Sequence, residues 1–314
     1  MKDLSKASAS RRSIEEDSEN QRIDNYLSKV LKGVPKSHIY RILRSGEVRV
    51  NGKRIEPNYR LKIGDTLRLP PVRTAKPVKQ AGNAFPNLRL EVLFEDDVLL
   101  VINKPAGVAV HGGSGVSSGI VELLRMRKPK APFLELVHRL DRETSGVLLL
   151  AKKRSALITL HQRLREGQVE KRYLAMVKGR WINQKQSVEL PLHKYVTAAG
   201  ERRVTVNPRG QAAHTLFYLR KSWQEFSLLE AELKTGRTHQ IRAHLAHLGF
   251  PILGDPKYGD FALNRFLATR GLKRMFLHAF RLVVQHPRTG QALRLDAPLP
   301  TDLEQFVDEL GRPM

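Results

Sequence analysis

The stretch between residues 70 and 87 constrains this chain more than any other feature. It contains Pro70-Pro71, Pro77, Gly82 and Pro86, interspersed with Arg73, Lys76 and Lys79, and has almost no apolar periodicity. Proline fixes φ and removes an amide donor, so neither a helix nor a central strand passes through such a run. It reads as a linker, and the chain must then build two cores, one from residues 20–69 and one from residues 88–314. Residues 1–19 are polar, carry Glu15-Glu16-Asp17, and read as a mobile tail. With 41% apolar residues over a length of 314, both cores can be supplied. Wholesale disorder and a staple-dependent mini-protein are excluded.

Lys and Arg number 55 and Asp and Glu 31, a net charge of +24. Such an excess repels itself in a compact state unless a polyanion relieves it, which points to nucleic acid as partner. With no cysteine, disulfides, Cys-ligated zinc, iron–sulfur clusters and thiol catalysis are ruled out. The longest apolar run, around 98–102, is far short of the roughly 18 residues that suggest a membrane span. The start, Met-Lys-Asp-Leu-Ser-Lys, has no apolar signal core. A soluble cytoplasmic protein without a membrane partner is expected, and a monomer.

In the first segment Ile23, Tyr26, Leu27, Val30 and Leu31 follow the spacing of a helix with one buried face. A second helix is expected from Ser37 as N-cap, with Ile39, Ile42 and Leu43 inward, ending at Gly46. Val48 and Val50 alternate toward Asn51-Gly52, a hairpin signal, and Leu61, Ile63, Leu67 and Leu69 alternate along the return. The unit reads α-α-β-β. Nine basic residues (Lys36, Arg41, Arg44, Arg49, Lys53, Arg54, Arg60, Lys62, Arg68) stand against three acids (Glu47, Glu56, Asp65). Gathered on one face of so small a unit, they would grip phosphates through counterion release, without reading sequence. The run from Val34-Pro-Lys-Ser to Val-Arg-Val-Asn-Gly-Lys53 resembles the small RNA-binding domain named after ribosomal protein S-four, over residues 20–69.

The larger segment alternates apolar and polar residues at Leu88, Leu90, Val92 and Phe94, at Tyr173, Ala175 and Val177, and near 228–233. Helical patterns fall at 120–126, at Ala156, Leu157, Leu160 and Leu164, and from Thr238 as cap to Gly249 as stop. Strands and helices without regular βαβ spacing imply an α+β fold with a mostly antiparallel mixed sheet flanked by helices. An apolar strand ends at Val137, a polar loop crosses from His138 to Gly146, and a β-rich run resumes at 147–151. Polar groups on a short loop between buried strands are how a rigid scaffold presents catalytic residues, and Asp141 is the candidate. An Asp followed by Thr and Ser also forms turns with its own backbone. A carboxylate taken out of water needs a cationic partner, and Arg237, at a strand-to-helix junction, would supply one in fork geometry. His239, His244 and His247 match no common zinc spacing and no Cys or nearby carboxylate completes a set, so no metal is expected.

Four motifs in order, Asn103-Lys-Pro-Ala-Gly107, His138-Arg-Leu-Asp-Arg-Glu-Thr-Ser-Gly146, Lys171-Arg-Tyr-Leu-Ala-Met-Val-Lys-Gly179 and Gly236-Arg-Thr-His-Gln-Ile-Arg242, are similar to those of the large-subunit ribosomal RNA pseudouridine synthases. The Gly-Val-Pro-Lys-Ser sequence and the near absence of insertions resemble the C-type branch of that family, with the D-type a near relative. The resemblance implies that the chain isomerises uridines of large-subunit ribosomal RNA without a cofactor. It implies Asp141 as nucleophile, Arg237 as its ion-pair partner, Tyr173 as the aromatic that stacks on the target base, and Arg139 filling the gap left by the flipped uridine. Leu277 would close the pocket floor, and His138 joins Arg139 and the basic residues Lys36, Arg41, Arg44, Arg49 and Lys53 in holding RNA. Making pseudouridine breaks a bond from nitrogen-1 to ribose and rejoins the uracil through carbon-5. A carboxylate can trap or deprotonate the ribose, or add to the ring, and a base must remove the carbon-5 proton. The Tyr173 hydroxyl or a water are both open for that step. Two other readings stay beside the isomerase: a ribosome-assembly protein that only binds RNA, and a nucleosidase acting through Asp141. Binding alone has no use for an acid facing a phosphate-rich ligand. The nucleosidase lacks an evident second carboxylate in the motifs.

Overall fold

The computed structural model describes residues 9–31, 33–72, 88–112, 118–128 and 133–313. The chain divides into two compact units, residues 1–86 with 130–133 and residues 87–129 with 134–314. Beyond residue 72 the expected linker lies outside the described residues, as do residues 1–8 of the expected tail.

The first unit comprises β1 (Ser10–Ser13), α1 (Ile23–Val30), α2 (Lys36–Arg44), β2 (Arg49–Val50) and β3 (Thr66–Leu69), the strands ordered β1-β3-β2 in an antiparallel sheet. Ile23 and Leu27 of α1 and Ile39, Ile42 and Leu43 of α2 pack with Val48, Val50, Leu61 and Leu67 in one core. The tail expectation fails from residue 10 onward: β1 pairs with β3, Arg12 opposite Leu67, and Ile14 is 2% exposed in the same core. The Ser-Arg-Arg-Ser of β1 is exposed throughout, so no apolar alternation announces it. The α2 helix begins at Lys36 behind Pro35 rather than at Ser37, and Gly46 closes it at φ +74°. Asn51 and Gly52 both take positive φ, 51° and 77°, as a tight hairpin turn demands. The return is less regular than expected. Leu61 is buried, but Ile63 stands 57% exposed, because the strand proper starts only at Thr66.

The second unit runs β4 (Glu91–Glu95), β5 (Leu99–Lys104), α3 (Ile120–Arg127), β6 (Glu135–Leu136), β7 (Ser145–Ala151), α4 (Arg154–Arg165), β8 (Glu170–Lys178), β9 (Lys185–Val188), β10 (Leu192–Val196), β11 (Arg202–Val206), β12 (Thr215–Ser222), β13 (Phe226–Leu233), α5 (Gln240–His247), α6 (Phe261–Thr269), β14 (Leu277–Gln285), β15 (Ala292–Asp296) and α7 (Thr301–Glu309). Ten strands form one sheet in the order β4-β5-β7-β14-β8-β13-β12-β9, with β6 on β7 and β15 on β14. Among the described pairings of this sheet only β7 with β14 is parallel, so it is mixed and mostly antiparallel. The β10 and β11 strands pair separately as a two-stranded ribbon.

All seven residues of β7 are buried, which fits a strand between two neighbours deep in the sheet. It starts two residues earlier than the sequence suggests, because Ser145 and Gly146 already pair with His278 and Ala279. A Cβ on Gly146 would lie 2.2 Å from the Ala279 carbonyl oxygen, and its φ is +114°, so only glycine lets the two strands close here. That closure brings the loop before β7 beside the first residue of β14, Leu277.

Candidate active site

The loop from Val137 to Thr144 is held at several points. The His138 Nε2 accepts the Leu149 amide of β7 at 3.2 Å, and the Thr144 amide donates to the Asp141 carbonyl at 3.1 Å. The Arg142 carbonyl accepts from the Gly107 amide at 2.9 Å and from the Lys104 ammonium at 3.0 Å. Lys104 is fully buried, and burial brings its pKa down to about 7, with Glu143 and Asp141 opposing that fall and Arg274 adding to it. At the far end the Ser145 hydroxyl meets His278 Nδ1 at 2.9 Å and accepts from Arg274 Nη2 at 2.7 Å. A carboxylate on such a loop has little freedom beyond its own side-chain torsions.

Asp141 projects into a cleft of about 560 Å³, lined also by Arg139, Tyr173, Arg237, His239, Arg242 and Leu277. Its Oδ2 accepts from Arg242 Nη1 at 2.9 Å. The ion-pair partner is therefore Arg242, and the expectation for Arg237 is corrected. The exposed Arg237 side chain turns to the rim, where its Nε donates to the Ala212 carbonyl at 3.0 Å. The physical reason lies in where α5 starts. His239, at φ +52°, takes the N-cap position expected of Thr238, and the helix begins at Gln240. Buried Gln240 then ties the turn to β12, accepting from the Arg237 amide (3.0 Å) and donating to the Thr215 hydroxyl (2.9 Å). With the Arg237 backbone pinned outward, Arg242 in the first turn of α5 is the guanidinium that reaches the carboxylate.

Arg242 is 3% exposed and forks between two acids. Its Nε and Nη2 donate to Asp255 at 2.8 Å each, and Asp255 in turn accepts the Lys257 and Tyr258 amides at 2.8 and 3.1 Å. Burial by itself would lower the Arg242 pKa, but the bonds and charge of Asp255, then Asp141, outweigh it and hold it above the ordinary value. Asp255 and Tyr258 have no counterpart in the sequence reading. A signal existed: six of the eight residues of α5 are buried, and an arginine inside an apolar helix face calls for a carboxylate elsewhere in the chain.

Tyr173 lies on β8 opposite Ala231 and is 7% exposed, its accessible part on the cleft wall. Burial, and then the Asp141 charge, push its phenol well above the usual range, so it is a protonated phenol at neutral pH. Leu277 is 4% exposed and lines the cleft from the start of β14. Arg139 is exposed beside it. His138 lines the cleft too, but its Nε2 is committed to the Leu149 amide. Burial and the nearby Lys171 bring its pKa to about 4, so it is a neutral ring that fastens the loop from the cleft wall. In the first unit Lys36, Arg41 and Arg44 are exposed on α2, and Arg49 and Lys53 are exposed around the β2 turn. The Arg49 guanidinium donates to the Gly46 carbonyl at 3.3 Å, drawing the strand's charge toward the end of α2. No group of three or more metal-ligating side chains occurs among the described residues, and none of their helices is long and apolar enough to cross a membrane.

Residues 98–247 match the model of the RNA pseudouridylate synthase family, and residues 21–67 match the S4 domain. Two relatives are the ribosomal large subunit pseudouridine synthase C of Pasteurella multocida (strain Pm70), 50% identical over 301 residues that cover 95% of this chain and 92% of that protein, and its namesake in Escherichia coli (strain K12), 50% identical over 305 residues that cover 95% of each. Among solved structures, human RNA pseudouridylate synthase domain containing 4 superposes with a TM-score of 0.57 at 28% identity, over 70% of this chain and 92% of that one.

Proposed function

Because the chain belongs to the RNA pseudouridylate synthase family, we propose that it converts specific uridines of large-subunit ribosomal RNA to pseudouridine, with Asp141 as the group that attacks. The observation that carries the reading is the division of labour on one carboxylate. Oδ2 of Asp141 is fixed by Arg242, while Oδ1 has no hydrogen-bond partner among the described residues and the side chain is 20% exposed to the cleft. A carboxylate that serves only as a counter-charge gains nothing from an oxygen held open to a cleft. A nucleophile or base keeps one for the substrate.

The uridine must leave its stack to reach that oxygen, at a cost of a few kcal/mol. Leu277 and Tyr173 offer an apolar floor and an aromatic wall to receive the base, and Arg139 at the rim is the cation that would fill the vacated gap. Burial and the Asp141 charge keep the Tyr173 phenol protonated at neutral pH, and a water is the proposed acceptor of the carbon-5 proton. A monomer acting in the cytoplasm, where ribosomal RNA is handled, is the proposed working form. Carbodiimide-dependent reverse-transcription stops in large-subunit ribosomal RNA, from cells with and without the gene, test the reading. Stops that vanish with the gene support it, and an unchanged pattern would refute it. Release of free uracil from the same RNA by the purified protein would return the nucleosidase.

Tyr173→Phe keeps the ring and loses only the hydroxyl. As a platform for the base, Tyr173→Ala is expected to lose roughly 1–3 kcal/mol of affinity for target RNA and Tyr173→Phe little. Tritium release from carbon-5-labelled RNA should run near the wild-type rate in Tyr173→Phe. A fall on the order of 100-fold or more would restore the hydroxyl as proton acceptor.

We propose that the basic face of the first unit anchors the RNA by its phosphates. Arg41→Ala together with Arg44→Ala should flatten the slope of log affinity against log salt by about 1 to 2 and leave the rate at saturating RNA unchanged. An unaltered slope would place the anchor elsewhere.

A further inference from the structure

Among the titratable side chains lining the cleft to which the reading above gives no task is His239. His239 sits at the N-cap of α5 with φ +52°, a left-handed conformation that costs a non-glycine residue energy and persists where its surroundings over-determine it. Its Nδ1 lies 2.8 Å from the Tyr258 hydroxyl, and the two rings meet edge to face with centroids 5.6 Å apart. The Tyr258 oxygen also accepts the Val204 amide of β11 at 2.9 Å. Among the described residues these are the hydroxyl's two partners. An amide can only donate, so the phenol proton is free to go to His239 Nδ1 when that nitrogen is unprotonated. Burial pushes the phenol up to about 12, so the proton stays on Tyr258. In the tautomer that accepts this proton His239 carries its own on Nε2, and Nε2 lies 3.8 Å from Oδ1 of Asp141. Burial holds the ring neutral, with the charges of Arg242 and Lys257 working in the same direction and those of Asp141 and Asp255 against it.

We propose that His239 is a positioning residue for Asp141, held by Tyr258 in the tautomer that turns an N–H toward Oδ1, the carboxylate oxygen that Arg242 leaves open. Resting on Asp141 as the attacking group, this deepens the functional reading. Arg242 fixes one oxygen with a full charge. A neutral N–H beside the other limits rotation of the carboxylate about its last torsion without supplying a second counter-charge that would blunt its reactivity. At 3.8 Å the contact is longer than a hydrogen bond, and contacts of this kind tighten when substrate expels water from the site. Tyr258 belongs to the same device from a second side. The Arg242 guanidinium lies 5.0 Å over its ring, so one aromatic supports both groups that hold the carboxylate.

The test is single-turnover tritium release from a large-subunit ribosomal RNA transcript labelled at carbon-5 of its uridines, with RNA affinity measured beside it. Asn tolerates left-handed backbone, so His239→Asn removes the imidazole with little added strain. It should slow the chemical step on the order of 10- to 100-fold while affinity stays within about twofold. His239→Gln, whose amide N–H reaches the same region, should recover part of that loss. Tyr258→Phe deletes a single oxygen and should slow the step about 5- to 10-fold, the worth of one hydrogen bond. Tyr258→Phe combined with His239→Asn should be no slower than His239→Asn alone, because the tyrosine acts through the histidine. Wild-type rates in His239→Asn and Tyr258→Phe, or losses that simply multiply in the double variant, would overturn the inference. Asp141→Ala run in parallel separates the two levels. If it is inactive while the His239 variants are not slowed, only this inference falls, and if it is active, the functional reading falls with it.

Discussion

Asp141→Ala and Asp141→Asn are expected to abolish isomerisation, lowering the single-turnover rate by at least on the order of 10,000-fold, the scale seen when a reaction's attacking group is removed. RNA affinity should change less than about tenfold, roughly 1.4 kcal/mol, since the carboxylate acts only once the base has entered the cleft. The fold should tolerate both changes. Asp141 is partly exposed, and Arg242 keeps its two bonds to Asp255 when Asp141 is gone. Asn retains an oxygen for Arg242 Nη1 and removes only the charge and the reactive pair of electrons, so its inactivity would isolate chemistry from geometry. Pseudouridine formed by purified Asp141→Asn above a no-enzyme blank would remove Asp141 from the role. A binding-only protein would show no activity in the wild type and no effect of either substitution.

What could be read from the chain was whatever its local chemistry demanded. Asn51-Gly52 had to be a positive-φ turn, Gly46 had to stop a helix, and the apolar residues of 145–151 and of β8 and β13 had to be strands in a buried sheet, because no long-range information enters those choices. The loop bearing Asp141 was legible in the same way, as a polar interruption between apolar strands. The strand β1 was not, since Ser10–Ser13 is exposed on every residue and is ordered by pairing with β3 and by Ile14 alone. Nor was the partner of Asp141. Arg237 and Arg242 lie five residues apart in one motif, on either side of the turn where His239 takes a φ of +52° and α5 begins. Asp255 and Tyr258 bear on the choice between them from another part of the chain. A sequence pattern gives helical phase but not which of two cations a distant acid will claim.

Arg242 and Arg237 can be told apart by experiment, and Arg242→Ala is expected to have the second-largest effect. It strands Asp255, which is fully buried, with no guanidinium, and breaking a buried pair from one side costs about 3–5 kcal/mol. For a unit of this size that corresponds to a fall in Tm of roughly 6–20 °C. Activity should be lost along with it, since Oδ2 of Asp141 loses its donor. Arg242→Lys keeps the charge but not the fork, so it should regain part of the stability while one of the three hydrogen bonds at least stays unmade. Arg237→Ala removes one exposed bond to a backbone carbonyl and should cost less than about 1 kcal/mol, with the chemical step near wild type. Thermal unfolding and single-turnover rates of the three variants decide the matter. If Arg237→Ala were inactive and Arg242→Ala were both folded and active, Arg237 would be the ion-pair partner in the reacting enzyme and the cleft would have to rearrange when RNA binds.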